Sequence, residues 1–323
     1  MTAAAAALPT LAERAARLRD LGWTKREADW LALVCLHSGL FTRRQYAARY
    51  GISRQTADRF ARGLVTTGLA REAPMRDPRA YRPTGICHVH ARSLYRALGI
   101  ENNRHRKRAS REITMRRLLS LDYVLEHPEL AWLPTEPEKL AYFQRIGIPA
   151  TSLPSRVYAG PFAARSVRYF VVKLPIAGNG TTTVFVYAAT GGRNPLQTVQ
   201  TWAGAHAALW EALRRRGGAV HVVAVARTAK AAAANAAILE TWRGPSTPAV
   251  PLSAEERQLL DAIKLADSIG DPSLLTRYGG PIEAAKAARC IQDREEAARG
   301  PSKCIDAYST HVAERLVADV SAF

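Results

Sequence analysis

The sequence predicts an α+β chain in three parts: N-terminal helices gathered around a helix-turn-helix, a central α/β region, and a helical C-terminal segment. Three observations predict it. Two helix-forming stretches meet at Gly51-Ile52, strand-like runs alternate with long helical patterns from 153 to 243, and capped helical patterns follow residue 253. At 323 residues and 47% apolar content, the chain has ample material for packed cores. Domain boundaries are expected near 100, 150 and 245, giving segments 1–100, 101–150, 151–245 and 246–323. No uninterrupted apolar run approaches the roughly 20 residues of a membrane helix. The opening MTAAAAALPTLAERAARLRD also lacks the basic start and cleavage site of a signal peptide, so a cytoplasmic protein is expected. Cys35, Cys87, Cys290 and Cys304 never form C-x-x-C pairs, which predicts reduced structural cysteines and neither a zinc module nor a disulfide framework.

The net charge is +18, and it is concentrated. Residues 41 to 117 hold 19 Lys and Arg against 5 Asp and Glu, whereas 118 to 138 hold 5 acids and no base. A genome rich in GC explains a preference for Arg over Lys but not this clustering. A basic block of this kind points to a polyanionic partner.

Within the first part, residues 10 to 20 and 24 to 37 read as helices, the second starting at Thr24 with Trp30, Leu33, Val34 and His37 at helical spacing. Thr42 is placed to cap a short helix, TRRQYAARY, which Gly51-Ile52 breaks. Ser53 then caps a second helix to about Thr67. In that second helix Ala57, Phe60, Ala61 and Leu64 make the inward stripe, which leaves Arg54, Gln55, Asp58, Arg59 and Arg62 outside. Extended arms are expected around Leu69 to Glu72 and Ala80 to Arg82, flanking the turn-rich stretch from Pro74 to Pro78.

Helix, turn, helix and an arginine-tipped hairpin together resemble the winged-helix DNA-binding domain. Arg54, Gln55 and Arg59 then fall at base-reading positions, with Ser53 and Thr56 near phosphate. Arg bonds guanine bidentately and Gln adenine, so this turn offers a major-groove reading surface. The same fold is also used for protein contacts. Residues 101 to 117, ENNRHRKRASREITMRR, form a basic run leading into a helix capped by Ser110, with Leu118, Leu121 and Leu125 on one face. The run follows a DNA backbone in one reading and is a solvated linker in the other. The candidate DNA-contacting set is Arg43, Arg44, Ser53, Arg54, Gln55, Thr56, Arg59, Arg62, Arg76, Arg79, Arg82, Arg104, Arg106, Lys107 and Arg108.

Residues 126 to 155 read as a connector with one short helix. Beyond them SVRYFVVKLPIAG and TTTVFVYAAT are strand-like, and Asn179-Gly180 between them predicts a type I′ hairpin turn. Asn194 is placed to cap a helix with Pro195 at its first position, Gln197 three residues on, and Leu196, Val199, Trp202, Leu209 and Leu213 as its buried stripe. AVHVVAVA reads as a buried strand and 229 to 242 as an alanine-rich helix. With a further strand at Leu153 to Tyr158, this order resembles the restriction-endonuclease-like core. Joined to a winged helix, it is similar to the replication-relaxation family of plasmids and other mobile elements. In the last part Ser253 and Glu256 predict a capping box for a helix ending near Gly270, and Pro281 opens another that stops at Gly300. A final helix is expected to hold Cys304, Ile305, Val312, Leu316 and Val317.

A nuclease of the resembled class holds Mg²⁺ with carboxylates against the scissile phosphate. From Lys139 to Trp210 there is no Asp or Glu, and residues such as Ser155, Val186 and Tyr187 stand where the resemblance implies acids. The expectation is a non-enzymatic scaffold without cofactor or metal. Gly178-Asn179-Gly180-Thr181 lacks the G-K-[ST] ending of a phosphate loop. Cys87 alternates away from His88 and His90, His206 lies on an apolar stripe, and Gly191-Gly192 before a helix start is a connector or a phosphate site.

The leading expectation is a sequence-specific double-stranded DNA-binding homodimer, a transcriptional regulator or a replication or transfer accessory factor of a mobile element. The alternatives are a DNA-processing enzyme with carboxylates from Asp122, Glu126 or Glu138, and a structural protein-interaction module.

Overall fold

A computed structural model describes residues 8–72, 85–159, 165–170, 174–190, 195–243, 252–299 and 304–313. They fall into two compact units, Met1–Glu240 with Ile305–Phe323 and Thr241–Cys304. No described helix is long and apolar enough to cross a membrane.

The first unit begins with α1 (Leu11–Arg19) and α2 (Lys25–His37), each opened by a Thr-x-x-Glu capping box, at Thr10 and Thr24. A short strand, β1 (Leu40–Thr42), precedes α3 (Arg43–Tyr50) and α4 (Arg54–Thr66). Next come β2 (Ala70–Glu72) and β3 (Ile86–Val89), which pair antiparallel with Ala70 opposite Val89 and Glu72 opposite Cys87. β1 pairs on the other side of β3, giving a sheet in the order β1-β3-β2. The expected second arm at Ala80 to Arg82 lies outside the described residues, and the strand that pairs with β2 is β3. Three-residue β1 carries no periodicity to read, because all of Leu40, Phe41 and Thr42 are buried. Trp30, Phe41, Tyr46 and Phe60 form the aromatic centre of this core, with Trp30 edge-on to Phe41 at 5.4 Å and Tyr46 tilted against Phe60 at 4.5 Å.

α5 (Arg92–Ala97) and a 3₁₀ turn at Arg104–Arg106 lead to α6 (Arg111–Glu126), capped by Ser110. Residues Leu118 to Leu125 of α6 are buried on every side. The reason is that α6 packs on β1 and also on strands of the central sheet, so no face of this stretch is left for water.

α7 (Glu136–Arg145) precedes β4 (Ser155–Ala159) and β5 (Arg165–Tyr169), which pair antiparallel as a two-stranded sheet. The central sheet holds β6 (Ile176–Gly178), β7 (Thr182–Ala188), β8 (Ala219–Ala226) and β9 (Ala307–Val312) in that order. β6 and β7 are antiparallel, while β7, β8 and β9 run parallel. α8 (Pro195–Arg215) connects β7 to β8 and packs on β8, and α9 (Ala229–Thr241) follows.

Two expectations are corrected. The β6–β7 hairpin forms, but its turn is not type I′: Gly180 alone has a positive φ, 98°, whereas type I′ needs two such residues. Asn179 instead closes the turn with its side chain, Oδ1 accepting from the backbone N–H groups of Thr181 at 3.1 Å and Thr182 at 2.8 Å. The expected last helix is the strand β9 over 307–312. Tyr308, Thr310 and Val312 are strand-forming types that complete the ladder on β8, and this pairing outweighs the weak helical spacing. Leu316 and Val317 lie outside the described residues, as do Asn194, Gly191-Gly192 and Pro74 to Pro78.

The second unit holds α10 (Ala254–Ile269) and α11 (Pro281–Arg299) around a small core of Leu259, Ala266, Leu275, Ala284 and Ile291. Ser253 and Glu256 form the capping box, and Gly270 ends α10 in the left-handed region.

Candidate nucleic-acid interface

The surface around α4 starts from an elbow. α3 ends at Gly51, whose φ of 61° suits glycine. Ser53 then caps α4, its Oγ accepting from Thr56 N at 3.2 Å and lying 3.0 Å from Thr56 Oγ1. Ala57, Phe60, Ala61 and Leu64 are buried as the stripe requires. Rotation about the helix therefore leaves Arg54, Gln55, Arg59 and Arg62 exposed, with Thr56 partly covered. The positive end of the helix dipole lies at Ser53–Gln55 and favours anions there.

Arg43 has a different place. Its guanidinium stands 2.6 Å from Glu72 Oε1 and 3.4 Å from Asp58 Oδ1, tying α3 to β2 and α4. These two acids are the ones that would oppose phosphate on this face, and Arg43 offsets one of their two negative charges while holding both carboxylates. Its neighbour Arg44 is exposed.

The basic run 104–108 is fastened to the same sheet. Asn103 caps the 3₁₀ turn, and the backbone carbonyl of buried His105 accepts from His88 Nε2 at 2.9 Å and from Arg117 Nη1 at 3.2 Å. With Nε2 protonated, His88 Nδ1 is free to accept from Arg71 Nη2 at 2.9 Å, so the ring bridges β2 to the run as a neutral group. Burial pushes His88 down to about 4, and Arg71 and Arg117 push the same way against the His105 hydrogen bond. Arg71 is itself held below its ordinary value, by burial first and then by the charge of Arg108. Burial and the charges of Arg71, Arg106 and Arg108 lower His90 as well. Arg71 on β2 and Arg106 and Arg108 of the run thus all act on His90 at the end of β3. Arg104, Lys107 and Arg108 are exposed and Arg106 is partly covered. Arg71 is the member that sequence reasoning missed; its signal was the alternation of β2, between buried Ala70 and exposed Glu72. Arg76, Arg79 and Arg82 lie outside the described residues.

The other chemical candidates separate. Glu138 Oε1 is 2.7 Å from buried Arg14, and Glu138 also completes the capping box of α7, so it is remote in role from Asp122 and Glu126. His206 lies in the core, its Nδ1 2.8 Å from the Trp202 carbonyl, and burial pushes it down to about 4. Burial drives the Cys87 thiol up to about 12, which removes its thiolate character at neutral pH. On the central sheet Val186 is buried, and burial likewise carries Tyr187 up to about 12. Among the described residues, one group of three metal-ligating side chains converges, formed by Asp122, Glu126 and His311. No protein-family model, curated protein or solved structure matches the chain.

Proposed function

We propose that the chain is a non-enzymatic, sequence-specific double-stranded DNA-binding protein of the winged-helix kind, acting in the cytoplasm. In this reading α4 enters the major groove with Arg54, Gln55 and Arg59 toward base edges, while Arg44, Arg62 and the run from Arg104 to Arg108 follow phosphates. One observation carries it: a capped helix after a glycine elbow turns a wholly apolar stripe into a β1-β3-β2 core and presents Arg54, Gln55, Arg59 and Arg62 to solvent, with Asp58 held by Arg43. The reading extends to a regulator of transcription, replication or transfer on a mobile element, of the kind found in the replication-relaxation family. The order β6, β7, α8, β8, α9 supports a restriction-endonuclease-like scaffold, and the lack of any acid between Lys139 and Trp210 supports a scaffold without cleavage.

Specific recognition within a genome asks for more contact than one such helix supplies. The proposal therefore includes a homodimer built through the second unit, where Leu265, Ile269 and Ile282 are 52%, 59% and 73% exposed. The deciding experiment is selection of bound sites from random duplexes with the full chain. A single recurring motif with two half-sites is expected, and equal enrichment of all sequences would overturn specific recognition.

A further inference from the structure

We infer that Asp122, Glu126 and His311 form a binding site for one divalent transition-metal ion, which clips the last described strand to helix α6. One ligand atom from each residue lies within 4.8 Å of those of the other two. The sequence brings them together from distant places. Asp122 and Glu126 are one helical turn apart on α6, so their side chains rise on the same face. His311 comes from β9, after the whole second unit has intervened, and reaches them because β9 pairs in register with β8 and places His311 opposite Val225.

Two further features fit a site built for an ion. His311 Nε2 stands 3.4 Å from Glu126 Oε2. Two ligands at the usual ~2.1 Å from a tetrahedral metal are about 3.4 Å apart, so this pair already spans one edge of the coordination polyhedron. The ring is also held in that direction from the side, edge-on to Tyr123 at 5.2 Å. On the other ligand, Asp122 is wholly buried, and the buried carboxamide of Gln45 donates to its Oδ1 at 3.2 Å while also donating to the Leu118 carbonyl at 3.2 Å. A donor of this kind fixes the carboxylate's direction, the role that outer partners have at metal centres. Glu126 and His311 are 25% and 16% exposed, which leaves an entry path.

Two carboxylates and one imidazole suit Mn²⁺ or Zn²⁺ better than Mg²⁺, which holds its water and prefers oxygen alone. Among the described residues β9 has a paired neighbour on one side only, β8. An ion shared between α6 and β9 therefore fastens the edge strand that closes the first unit, and its binding energy becomes stability of that closure.

The test uses the full chain freed of metal by a chelator, then titrated calorimetrically with Mn²⁺, Zn²⁺ and Mg²⁺ in turn. One Mn²⁺ or Zn²⁺ per chain is expected, with Mg²⁺ at least tenfold weaker, a raised Tm, and slower amide exchange over 307–312. Glu126→Gln leaves the buried residues intact and should weaken the ion at least tenfold, as should His311→Gln. Absence of a 1:1 site in the wild-type chain would overturn the inference. So would unchanged affinity in the properly folded Glu126→Gln protein, because the ion would then sit elsewhere.

Discussion

Replacing Arg104, Lys107 and Arg108 together by Gln tests whether the fastened basic run touches DNA. The exposed cations around α4 and the run that have no ion-pair partner among the described residues are Arg44, Arg54, Arg59, Arg62, Arg104, Lys107 and Arg108. If five to seven phosphates are neutralised, the slope of log K against log salt is about −5 to −6, since each contact contributes roughly 0.9. Affinity should then fall by about three orders of magnitude between 50 and 200 mM salt. The triple substitution removes three of those charges, so the slope should flatten by about 2.7 while the preferred sequence stays the same. Fluorescence anisotropy on a selected duplex, repeated across salt, measures both quantities. An unchanged slope would refute contact by the run. A wild-type slope near zero would remove DNA binding itself.

Arg54→Ala and Arg59→Ala should each cost about 1 to 3 kcal/mol and relax base preference at one position, and competition with singly mismatched duplexes reads both effects. A uniform loss across sequences would make them phosphate contacts. Arg14 is buried and bonds the carbonyls of Pro9 and Leu98, at 3.0 Å each, as well as Glu138. Arg14→Met should therefore cost about 3 to 5 kcal/mol in urea unfolding, and adding Glu138→Leu should recover part of it. His206 is held neutral when folded and takes up a proton when unfolded. Its stabilising contribution is complete above its unfolded value near 6.5 and is lost as pH falls from there toward 4, by up to about 1.4 kcal/mol per pH unit. His206→Leu should flatten the unfolding free energy between pH 7 and 5, and an unaltered pH profile would count against a buried neutral ring. Leu265→Ser with Ile269→Ser should convert the proposed dimer to a species near the 35.3 kDa monomer mass in light scattering; retained dimer mass would place the interface elsewhere.

What was legible in the sequence was local. Caps at Thr24, Thr42, Ser53, Ser110 and Ser253 announce helices because a side chain oxygen satisfies backbone donors within three residues. The α4 stripe was legible for a similar reason, since four small or apolar residues at helical spacing leave only one face for arginine. Nothing local told that Arg43 would be spent on Asp58 and Glu72. Those acids are 15 and 29 positions away, and only the pairing of β2 with β3 brings Glu72 into reach. The fastening of the 104–108 run was hidden for the same reason: it depends on a backbone carbonyl, that of His105, meeting a strand histidine 17 residues earlier.

The strand β9 shows where local reading fails with consequence. Its residues AYSTHV expose or half-expose most side chains, so the alternation that marks a half-buried strand is faint. Its stability comes from backbone pairing with β8, a partner about 85 residues earlier, and from Asp306, whose Oδ2 accepts from Val220 N at 2.7 Å and whose Oδ1 meets Arg214 Nε at 2.9 Å. A wholly helical C-terminal segment could be removed by a cut after residue 250; a segment that contributes a strand to the central sheet could not. Such a cut uncovers the β8 edge, removes the Asp306 carboxylate from Arg214, and takes away His311 together with the second unit. Loss of dimer or of DNA affinity in the truncated chain would then report a damaged sheet as readily as a missing interface. Substitutions at exposed Leu265 and Ile269 leave β9 in place, and for that reason they, rather than truncation, test the proposed dimer contact.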